Sequence, residues 1–412
     1  MKIAFFVDKF PSSSETFVLN QITGLLDRGH EIDVYANSKG DFPWAHSDLI
    51  GYALEQRTYY LNHGLQKMPP HKLIRLIKAI RVIYECWKTG EKKWSKSLNV
   101  VKYGKRAASL ELLYRSVLLM GKGFYDIVHC HFGLNGEIAA ALKEIGVLQG
   151  KVITTFHGYD ITSYIKENGH DVYNFLFVHG DLFLTISERW KHELIRLGCR
   201  TEKIIVHKMG VNLKQLIAYT RRAESREQVR VLSVGRFIEK KGFEYAIRAV
   251  AKVVKKYPNV EYQIVGDGKL RGELTELIEQ LEVYSHIQLV GWKSQEDVAR
   301  LLKSVDIFLA PSVTGADGDQ EGIPVVLMEA LACGLPVIST FHSGIPELIQ
   351  DRQSGFLVQE RDAVALAEKL EYLAGHPEVR DNMGKTGRAW VEKHHNINQL
   401  NEQLVKIFER VL

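Results

Sequence analysis

The stretch QEGIPVVLMEALACGLPVI, residues 320–338, indicates the fold class of the chain. Gly322 and Pro324 predict the start of a helix, because proline is well tolerated in a first turn, where backbone N–H groups have no helical partner. A short apolar strand is predicted directly after the helix, over residues 336–339. A helix that leads into a short buried strand is typical of parallel sheets covered by helices.

Apolar runs of strand length recur on both sides of this stretch, with helix-length segments between them. The predicted strands are 2–7, 30–36, 126–129, 152–156, 182–186, 204–207, 229–234, 260–265, 287–290, 307–310, 336–339 and 355–358. This alternation predicts an α/β fold with two Rossmann-like, doubly wound parallel-sheet domains in tandem. Ligands of such sheets bind beyond the carboxyl ends of the strands, so the two domains are expected to face a central cleft.

The composition is that of a folded protein from a reducing compartment. Of 412 residues, 45% are hydrophobic and 25% charged, and the four cysteines form no CxxC pair, which argues against disulfide or zinc frameworks. No apolar run approaches the roughly 20 residues that span a bilayer, so a cytoplasmic protein is expected. Residues 218–228 are polar and charged, which predicts a linker between domains 1–215 and 216–397.

Positive charge is concentrated in residues 70–123. This region has thirteen lysines and arginines against three glutamates, although the whole chain carries only +5. Residues 72–87 repeat basic and apolar side chains in a pattern that predicts an amphipathic helix. Two interpretations remain open: a helix packed on the sheet with a solvated basic edge, or a helix lying on an anionic membrane surface.

Glu321 and Glu329 stand eight positions apart around the predicted helix start. The first amides of a helix suit a phosphate. Glu329 lies about two turns further on, within reach of a polyol such as ribose, and Glu321 can hydrogen-bond a sugar. The alternative is an ordinary helix N-terminus with Glu321 as a favourable partner of the helix dipole.

A second candidate site follows the strand predicted over 229–234, where the sequence reads VGRFIEKKG. Gly235, Arg236 and Lys241 are expected opposite the helix N-terminus, where the two cations suit a diphosphate. For Lys240 and Lys241, a solvent-facing turn is the alternative.

His157, in FHGYD, is expected at a cleft-facing turn, where histidine can bond a substrate hydroxyl or a developing charge. His129 and His131 are expected behind it. Two patterns are interpreted as decoys: Gly266, in VGDGKL, belongs to a tight turn, and Asp317 with Asp319 form a flexible acidic loop and no metal site.

The order of these motifs resembles the retaining glycosyltransferases of family 4, which have the GT-B fold. VGRFIEKKG, VGDG, VGW and EGIPVVLMEALACGLPVI follow one another within residues 229–358, while the first half shares only GHEIDVYA, HGYD and MGVN. The first loop, FPSSSETF at residues 10–17, departs from the family, because many relatives have glycines there. A similar SETF sequence occurs in a branch that acts in bacterial exopolysaccharide assembly.

The resemblance implies roles for both domains. Residues 1–215 would bind the acceptor and 216–397 the nucleotide sugar, while 398–412 would cross back onto the first domain. The implied catalytic residues are His157 at the reaction centre, Glu321 on the hexose, and Arg236 with Lys241 on the diphosphate; Glu329 would hold the ribose. Further donor contacts are implied for Gly235, Gly266, Trp292, Gly322, Ile323, Pro324 and Val325, and acceptor or first-loop contacts for Ser13, Ser14, Glu15, His131 and Asp160.

The implied reaction moves glucose or galactose from a UDP-sugar to a lipid-linked or oligosaccharide acceptor in exopolysaccharide biosynthesis. Retention is expected through front-face attack, with no metal and no other cofactor. The alternatives are a GDP-mannose-dependent mannosyltransferase, a GT-B-fold sugar-nucleotide epimerase or phosphorylase, and a membrane scaffold with a degenerate site. No nucleic-acid partner is expected, and residues 70–123 are the candidate contact with the inner face of the plasma membrane.

Overall fold

A computed structural model describes residues 1–12, 15–41, 47–61, 68–88, 92–214, 216 and 228–412 of the chain. Ser13 and Ser14 lie outside these residues, as does the predicted linker apart from Gln228. The described residues form two parallel β-sheets covered by helices, which confirms the predicted α/β class.

The first sheet contains seven parallel strands. They are β1 (Lys2–Phe10), β2 (Glu31–Lys39), β3 (Thr58–Tyr60), β4 (Phe124–His131), β5 (Gln149–Phe156), β6 (Leu182–Thr185) and β7 (Ile204–Val206). Their order is β3-β2-β1-β4-β5-β6-β7. The sequence did not predict β3, because a strand of three residues is too short to show a pattern.

The second sheet contains six parallel strands. They are β8 (Val229–Val234), β9 (Val260–Val265), β10 (Ile287–Gly291), β11 (Ile307–Ala310), β12 (Val337–Thr340) and β13 (Gly355–Val358). Their order is β10-β9-β8-β11-β12-β13. In each sheet the first three strands are added towards one edge and the later strands towards the other, so the strand order reverses next to β1 and next to β8. Such a reversal point is where open α/β sheets bind ligands.

Helices cover both faces of each sheet because the strands are apolar on both sides. In β1, Ile3, Phe5 and Val7 belong to one buried cluster, whereas Ala4 and Phe6 belong to another. Successive side chains point to opposite faces of a strand. A continuous apolar run is therefore buried only when both faces are covered.

The helices of the first half are α1 (Thr16–Leu26), α2 (Ser47–Gly51), α3 (Lys72–Lys88), α4 (Val100–Ala108), α5 (Glu111–Leu119), α6 (Gly133–Ile145), α7 (Ser163–Asn168), α8 (Asn174–His179) and α9 (Glu188–Arg196). Those of the second half are α10 (Phe243–Val253), α11 (Arg271–Gln280), α12 (Gln295–Ser304), α13 (Val325–Ala332), α14 (Ile345–Leu348), α15 (Ala363–Gly375), α16 (Pro377–His394) and α17 (Ile397–Val411). The last helix, α17, lies against α1, where the Asn401 side chain donates to the Asn20 carbonyl at 3.3 Å.

The start of α13 differs from the prediction by three residues. The helix begins at Val325, because Pro324 is still extended, with φ −61° and ψ 123°. A proline also disfavours helical conformations for the residue before it. Gly322 and Ile323 therefore belong to the loop that leads into the helix.

The amphipathic helix predicted over residues 72–87 is α3, but it does not pack its wide apolar face on the sheet. Ala79 and Val82 are buried against Leu113 and Tyr114 of α5. The larger apolar side chains stay exposed, to 74% for Leu73, 56% for Ile74, 68% for Ile77, 64% for Ile80 and 69% for Trp87. The first of the two interpretations of this helix is therefore wrong.

Candidate active site

The carboxyl ends of the two sheets face each other, and two glycines bring their loops into contact. A Cβ atom placed on Gly158, after β5, would lie 3.2 Å from the Gly322 nitrogen. A Cβ atom placed on Gly322 would lie only 2.2 Å from the His157 carbonyl oxygen. The turns that carry His157 and Glu321 therefore touch, although the residues belong to different sheets.

Lys241 and Glu321 form an ion pair in the cleft. The Lys241 Nζ and Glu321 Oε1 atoms are 2.9 Å apart, with side-chain exposures of 16% and 10%. A carboxylate oxygen has two lone pairs, so Oε1 can still accept a hydrogen bond from a ligand. Burial opposes ionisation of Glu321, but the nearby Lys241 and Lys240 ammonium groups outweigh burial and hold its pKa below the usual value. The site therefore presents an ionised carboxylate.

Arg236 stands beside this pair and is exposed. A Cβ atom placed on Gly235 would lie 3.1 Å from the Lys241 Cε atom, so the glycine makes room for the lysine chain next to Arg236. No hydrogen bond or ion pair holds the Arg236 guanidinium among the described residues. The two predicted cations thus differ: Lys241 is buried and paired, whereas Arg236 is available to a ligand.

The entry to α13 offers backbone donors. Among the described residues, no acceptor is found for the amides of Gly322, Ile323, Val325 and Val326. Pro324 has no N–H, so any donor contact of this residue cannot come from a backbone amide. The side chain of Ile323 is buried, which leaves only its amide for a ligand.

Two residues that the sequence did not indicate, His342 and Ser343, hold the backbone of Glu321, and a third, Glu360, holds His342. Its amide donates to His342 Nε2 at 3.0 Å, and its carbonyl accepts from the Ser343 hydroxyl. Because Nε2 accepts, a neutral His342 carries its proton on Nδ1 and donates it to Glu360 at 2.6 Å. Burial lowers the pKa of His342, although Glu360 opposes the shift. The network fixes the backbone position of Glu321.

Glu329 lies one turn inside α13 and is partly buried. Burial raises the pKa of its carboxyl from 4.5 to about 7. A carboxyl with this pKa is close to half protonated at neutral pH, so a ligand that donates hydrogen bonds to it would favour the ionised form.

Asp160 organises the turn after β5. Its Oδ1 accepts from the amides of His157 and Gly158, both at 3.0 Å, and its Oδ2 accepts from Gly133 at 2.9 Å. The side chain is fully buried. The implied acceptor contact of Asp160 is therefore wrong, since the carboxylate positions the turn that carries His157.

His157 is buried between the rings of Phe17 and Phe132, with ring centroids 4.7 and 4.8 Å away. Burial, with a smaller contribution from His129, lowers its pKa to about 3. His157 is therefore neutral at physiological pH and can act only as a hydrogen-bond donor or acceptor.

His131 touches His157, at 3.0 Å between His131 Nδ1 and His157 Nε2, and is itself fully buried. The implied contact of His131 with an acceptor is therefore wrong. His131 Nε2 and His157 Nδ1 have no partner among the described residues. Whichever ring donates in this contact, one of these two atoms carries an N–H without a partner. When His131 donates from Nδ1, that group is the Nδ1–H of His157, which a ligand in the cleft could accept.

Glu15 brings the first loop into the same site. It precedes α1 and is partly buried, and its Oε2 has no partner among the described residues. Burial and Asp8 raise its pKa to about 7, whereas Lys9 and Arg236 lower it. The charge of Arg236, from the second domain, therefore acts on Glu15.

Gly266 and Trp292 lie at the ends of β9 and β10. The Gly266 amide donates to the Gly291 carbonyl at 3.0 Å, and a Cβ atom at Gly266 would lie 1.9 Å from the Gly235 carbonyl oxygen. Gly266 therefore packs the turn against Gly235. Trp292 is 62% exposed next to this turn.

The interpretation of Lys240 and Lys241 as solvent-facing is wrong. Lys240 is 11% exposed and lies 2.8 Å from Asp319, whose amide donates to Asp317 at 2.9 Å. The acidic loop is thus joined to the turn after β8. Within the ranges that the structure describes, no cluster of three or more histidine, cysteine or acidic side chains could hold a metal ion.

Two parallel-sheet domains that face a cleft of this kind define the GT-B class of transferases. The crystal structure of Anabaena HepE in complex with UDP and glucose shares this fold, with a TM-score of 0.70, 17% identity and 100% of both chains covered. No helix in the described part of the chain is both long and apolar enough to cross a membrane.

Sequence comparison defines the family. Residues 220–390 match the model of glycosyl transferases group 1, and residues 91–215 match glycosyltransferase family 4. The amylovoran biosynthesis glycosyltransferase AmsK of Erwinia amylovora is 41% identical, with 100% of both chains covered. WcaL of Salmonella typhimurium, assigned to colanic acid biosynthesis, is 39% identical over 100% of both chains. The chain therefore belongs to the family 4 glycosyltransferases.

Proposed function

We propose that this glycosyltransferase transfers glucose or galactose from a UDP-sugar to a lipid-linked or oligosaccharide acceptor in exopolysaccharide biosynthesis. The observation that carries the proposal is the cleft itself, where Lys241 pairs with the carboxylate of Glu321 and where, among the described residues, Arg236 and four amides at the entry to α13 have no partner. The names of AmsK and WcaL support an exopolysaccharide product. HepE, whose structure contains UDP and glucose, supports a UDP-sugar donor.

In the proposed donor complex, each part of the nucleotide sugar lies against protein groups that can bind it. The diphosphate lies on Arg236, Lys241 and the amides at the start of α13, and the ribose hydroxyls donate to Glu329. The hexose hydroxyls donate to Glu321, whose Oε1 retains hydrogen-bonding capacity beside Lys241. The aromatic face of the exposed Trp292 is available to the base.

Catalysis in this proposal is electrostatic. As the anomeric C–O bond breaks, negative charge grows on the phosphate oxygens, where Arg236, Lys241 and the amides stabilise it. The acceptor oxygen attacks the same face of the anomeric carbon, and its proton passes to the departing phosphate. The neutral His157 donates a hydrogen bond to the sugar, and no metal is required. The product keeps the configuration of the donor.

Isothermal titration with uridine, guanosine and adenosine diphosphates and their sugars, with and without EDTA, tests the donor and the metal. Tight binding of UDP-glucose or UDP-galactose that survives EDTA is expected. Tight binding of GDP-mannose alone would show that the donor is GDP-mannose and not a UDP-sugar. Loss of binding in EDTA would contradict metal independence. An anomeric proton signal of opposite configuration in the product would exclude retention, and interconversion of sugars without an acceptor would indicate an epimerase.

We also propose that α3 holds the protein on an anionic membrane, where a lipid-linked acceptor would lie. The exposed Leu73, Ile77 and Trp87 supply an apolar face, and Lys72 and Arg81 are exposed on the same helix. Arg75 is held against the protein, because its guanidinium donates to the carbonyls of Pro69, Pro70 and Ser109, which leave its positive charge in place. Each basic side chain near an anionic leaflet contributes about 1 kcal/mol.

A further inference from the structure

A cavity lies at the rim of the cleft, outside the residues assigned to the donor. It has a volume of about 310 Å³ and is lined from both domains, by residues of α7 and α9 on one side and by Gly318 and Gln320 on the other. This volume is at the lower end of the range for small-molecule sites, about 300–1,000 Å³. We call it the rim cavity. Gln320 directly precedes Glu321, so the rim cavity adjoins the proposed transfer site.

Trp190 is one of the residues that line the rim cavity. Its side chain is 2% exposed, and its indole N–H is buried without an acceptor among the described residues. An unpartnered buried donor costs about 1–3 kcal/mol. An oxygen atom of a bound molecule would provide the missing acceptor.

The charged side chains around Trp190 are mainly cations. Arg189 and Lys166 line the rim cavity together with Arg196, whose charge is already matched by an ion pair with Glu193. The Arg189 guanidinium lies 5.5 Å from the Trp190 ring and donates to Gln320 Oε1 at 3.1 Å.

Lys166 donates to the Ala316 carbonyl at 3.3 Å. One hydrogen bond uses only part of the five N–H donors of an arginine or the three of a lysine. The rim cavity therefore offers surplus donors and surplus positive charge, and Glu193 is the single carboxylate among its described lining residues.

We propose that the rim cavity binds an oxyanion carried by the acceptor, a carboxylate or a phosphate, so that the enzyme acts on an acidic acceptor. The anion is held by Arg189, Lys166 and the Trp190 indole N–H. Because the second domain supplies Gln320 and Gly318, the site is complete only when the two domains stand as they do here. This assignment rests on the proposed function, since it names the acceptor of the same cleft.

The test follows the indole N–H signals of the six tryptophans by NMR, with Trp190→Phe to assign the Trp190 signal. The probes are inorganic phosphate, methyl glucuronide as a carboxylate, and methyl glucoside as a neutral control. We expect a saturable shift of the Trp190 signal with at least one anion and none with methyl glucoside. Phosphate alone would indicate a phosphorylated acceptor, and the glucuronide alone an acidic sugar.

Two variants separate the rim cavity from the donor site. Arg189→Gln is expected to weaken anion binding about tenfold or more, because a charge-assisted hydrogen bond to the anion is lost. Arg236→Ala, in the donor site, is expected to keep the anion-dependent shift of the Trp190 signal. Should Trp190→Phe fail to fold, calorimetric titration of wild type and Arg189→Gln measures the same difference, because Arg189 is exposed.

The assignment is overturned if no anion moves the Trp190 signal, or if binding is unchanged in Arg189→Gln. The nucleotide-sugar titration reports on the donor site separately. Failure there with anion binding intact would contradict the proposed function and leave the anion site standing.

Discussion

The donor half of the cleft, residues 235–241 with 320–329, and the surface of α3 are opposite in character. In the donor half, Lys241 and Glu321 are nearly buried and paired with each other. On α3, Leu73 and Ile77 are large apolar side chains left in solvent. A buried ion pair is weak evidence for stability, and an exposed apolar patch is unfavourable in water. The proposed function accounts for both arrangements by a ligand: an anion and a sugar in the cleft, and a membrane at α3.

The largest expected effect comes from breaking the buried pair. Lys241→Ala leaves the Glu321 carboxylate buried without its partner and removes a cation from the diphosphate. We expect a loss of about 3 kcal/mol in the free energy of unfolding and a fall in kcat of about 100- to 1,000-fold. Denaturant unfolding and hydrolysis of the nucleotide sugar identified by titration measure the two effects.

A double variant separates stability from function in the same pair. Lys241→Ala/Glu321→Gln removes the uncompensated charge and is expected to recover most of the lost stability, while activity stays low. Recovery of activity together with stability would show that the pair serves the fold and not the reaction.

Arg236→Ala gives the next largest effect and acts on activity alone. Arg236 is exposed and lacks an ion-pair partner among the described residues, so its removal is expected to leave the free energy of unfolding nearly unchanged. Loss of a charge-assisted hydrogen bond to the diphosphate predicts a fall in turnover of about 10- to 100-fold. Arg410→Ala, at the exposed end of α17, is the matched control. Near wild-type turnover of folded Arg236→Ala would rule out the clamp.

Glu329 allows a pH test within the donor half. Its pKa is raised by burial from 4.5 to about 7, so between these values the folded state binds more protons than the unfolded state. The contribution of Glu329 to stability therefore declines as pH rises from about 4.5 to 7 and stays low above that. Glu329→Gln is expected to be more stable than wild type at pH 8, by about 1–3 kcal/mol.

Donor binding should show the opposite dependence on pH. Hydrogen bonds from ribose favour the ionised carboxylate, so wild-type affinity should rise several-fold between pH 6 and pH 8, and Glu329→Gln should lose affinity and this rise. Calorimetric titration at both pH values measures the affinities. A pH-independent wild-type affinity would place the ribose elsewhere.

The candidate cleft residues could be selected from the sequence because they follow predicted strands. Arg236 and His157 come directly after parallel strands, and the carboxyl ends of such strands share one edge. Pairings between distant positions were not predictable in the same way. The Lys241–Glu321 pair and the His342 contact with the Glu321 amide depend on how loops of different strands approach each other.

The roles of residues in the first domain were harder to predict, because polar side chains there accept hydrogen bonds from the backbone and hold its turns in place. Asp160 follows a strand like the functional residues, yet it accepts three amide hydrogen bonds and is fully buried. Neither its type nor its position distinguishes this role. In α3, periodicity predicted the helix, but only the packing of Ala79 and Val82 on α5 determines which side chains remain in solvent.

The smallest effect on the fold is expected at α3. Ile77 is 68% exposed, so Ile77→Glu should change the free energy of unfolding by less than about 0.5 kcal/mol. It should nevertheless reduce sedimentation with anionic vesicles, because a carboxylate enters the apolar face. Val178→Glu makes a similar change on α8 at 71% exposure and is expected to leave vesicle binding intact. Equal vesicle binding by the two variants, or no vesicle binding by the wild type at low salt, would show that membrane binding does not explain the exposed apolar face of α3.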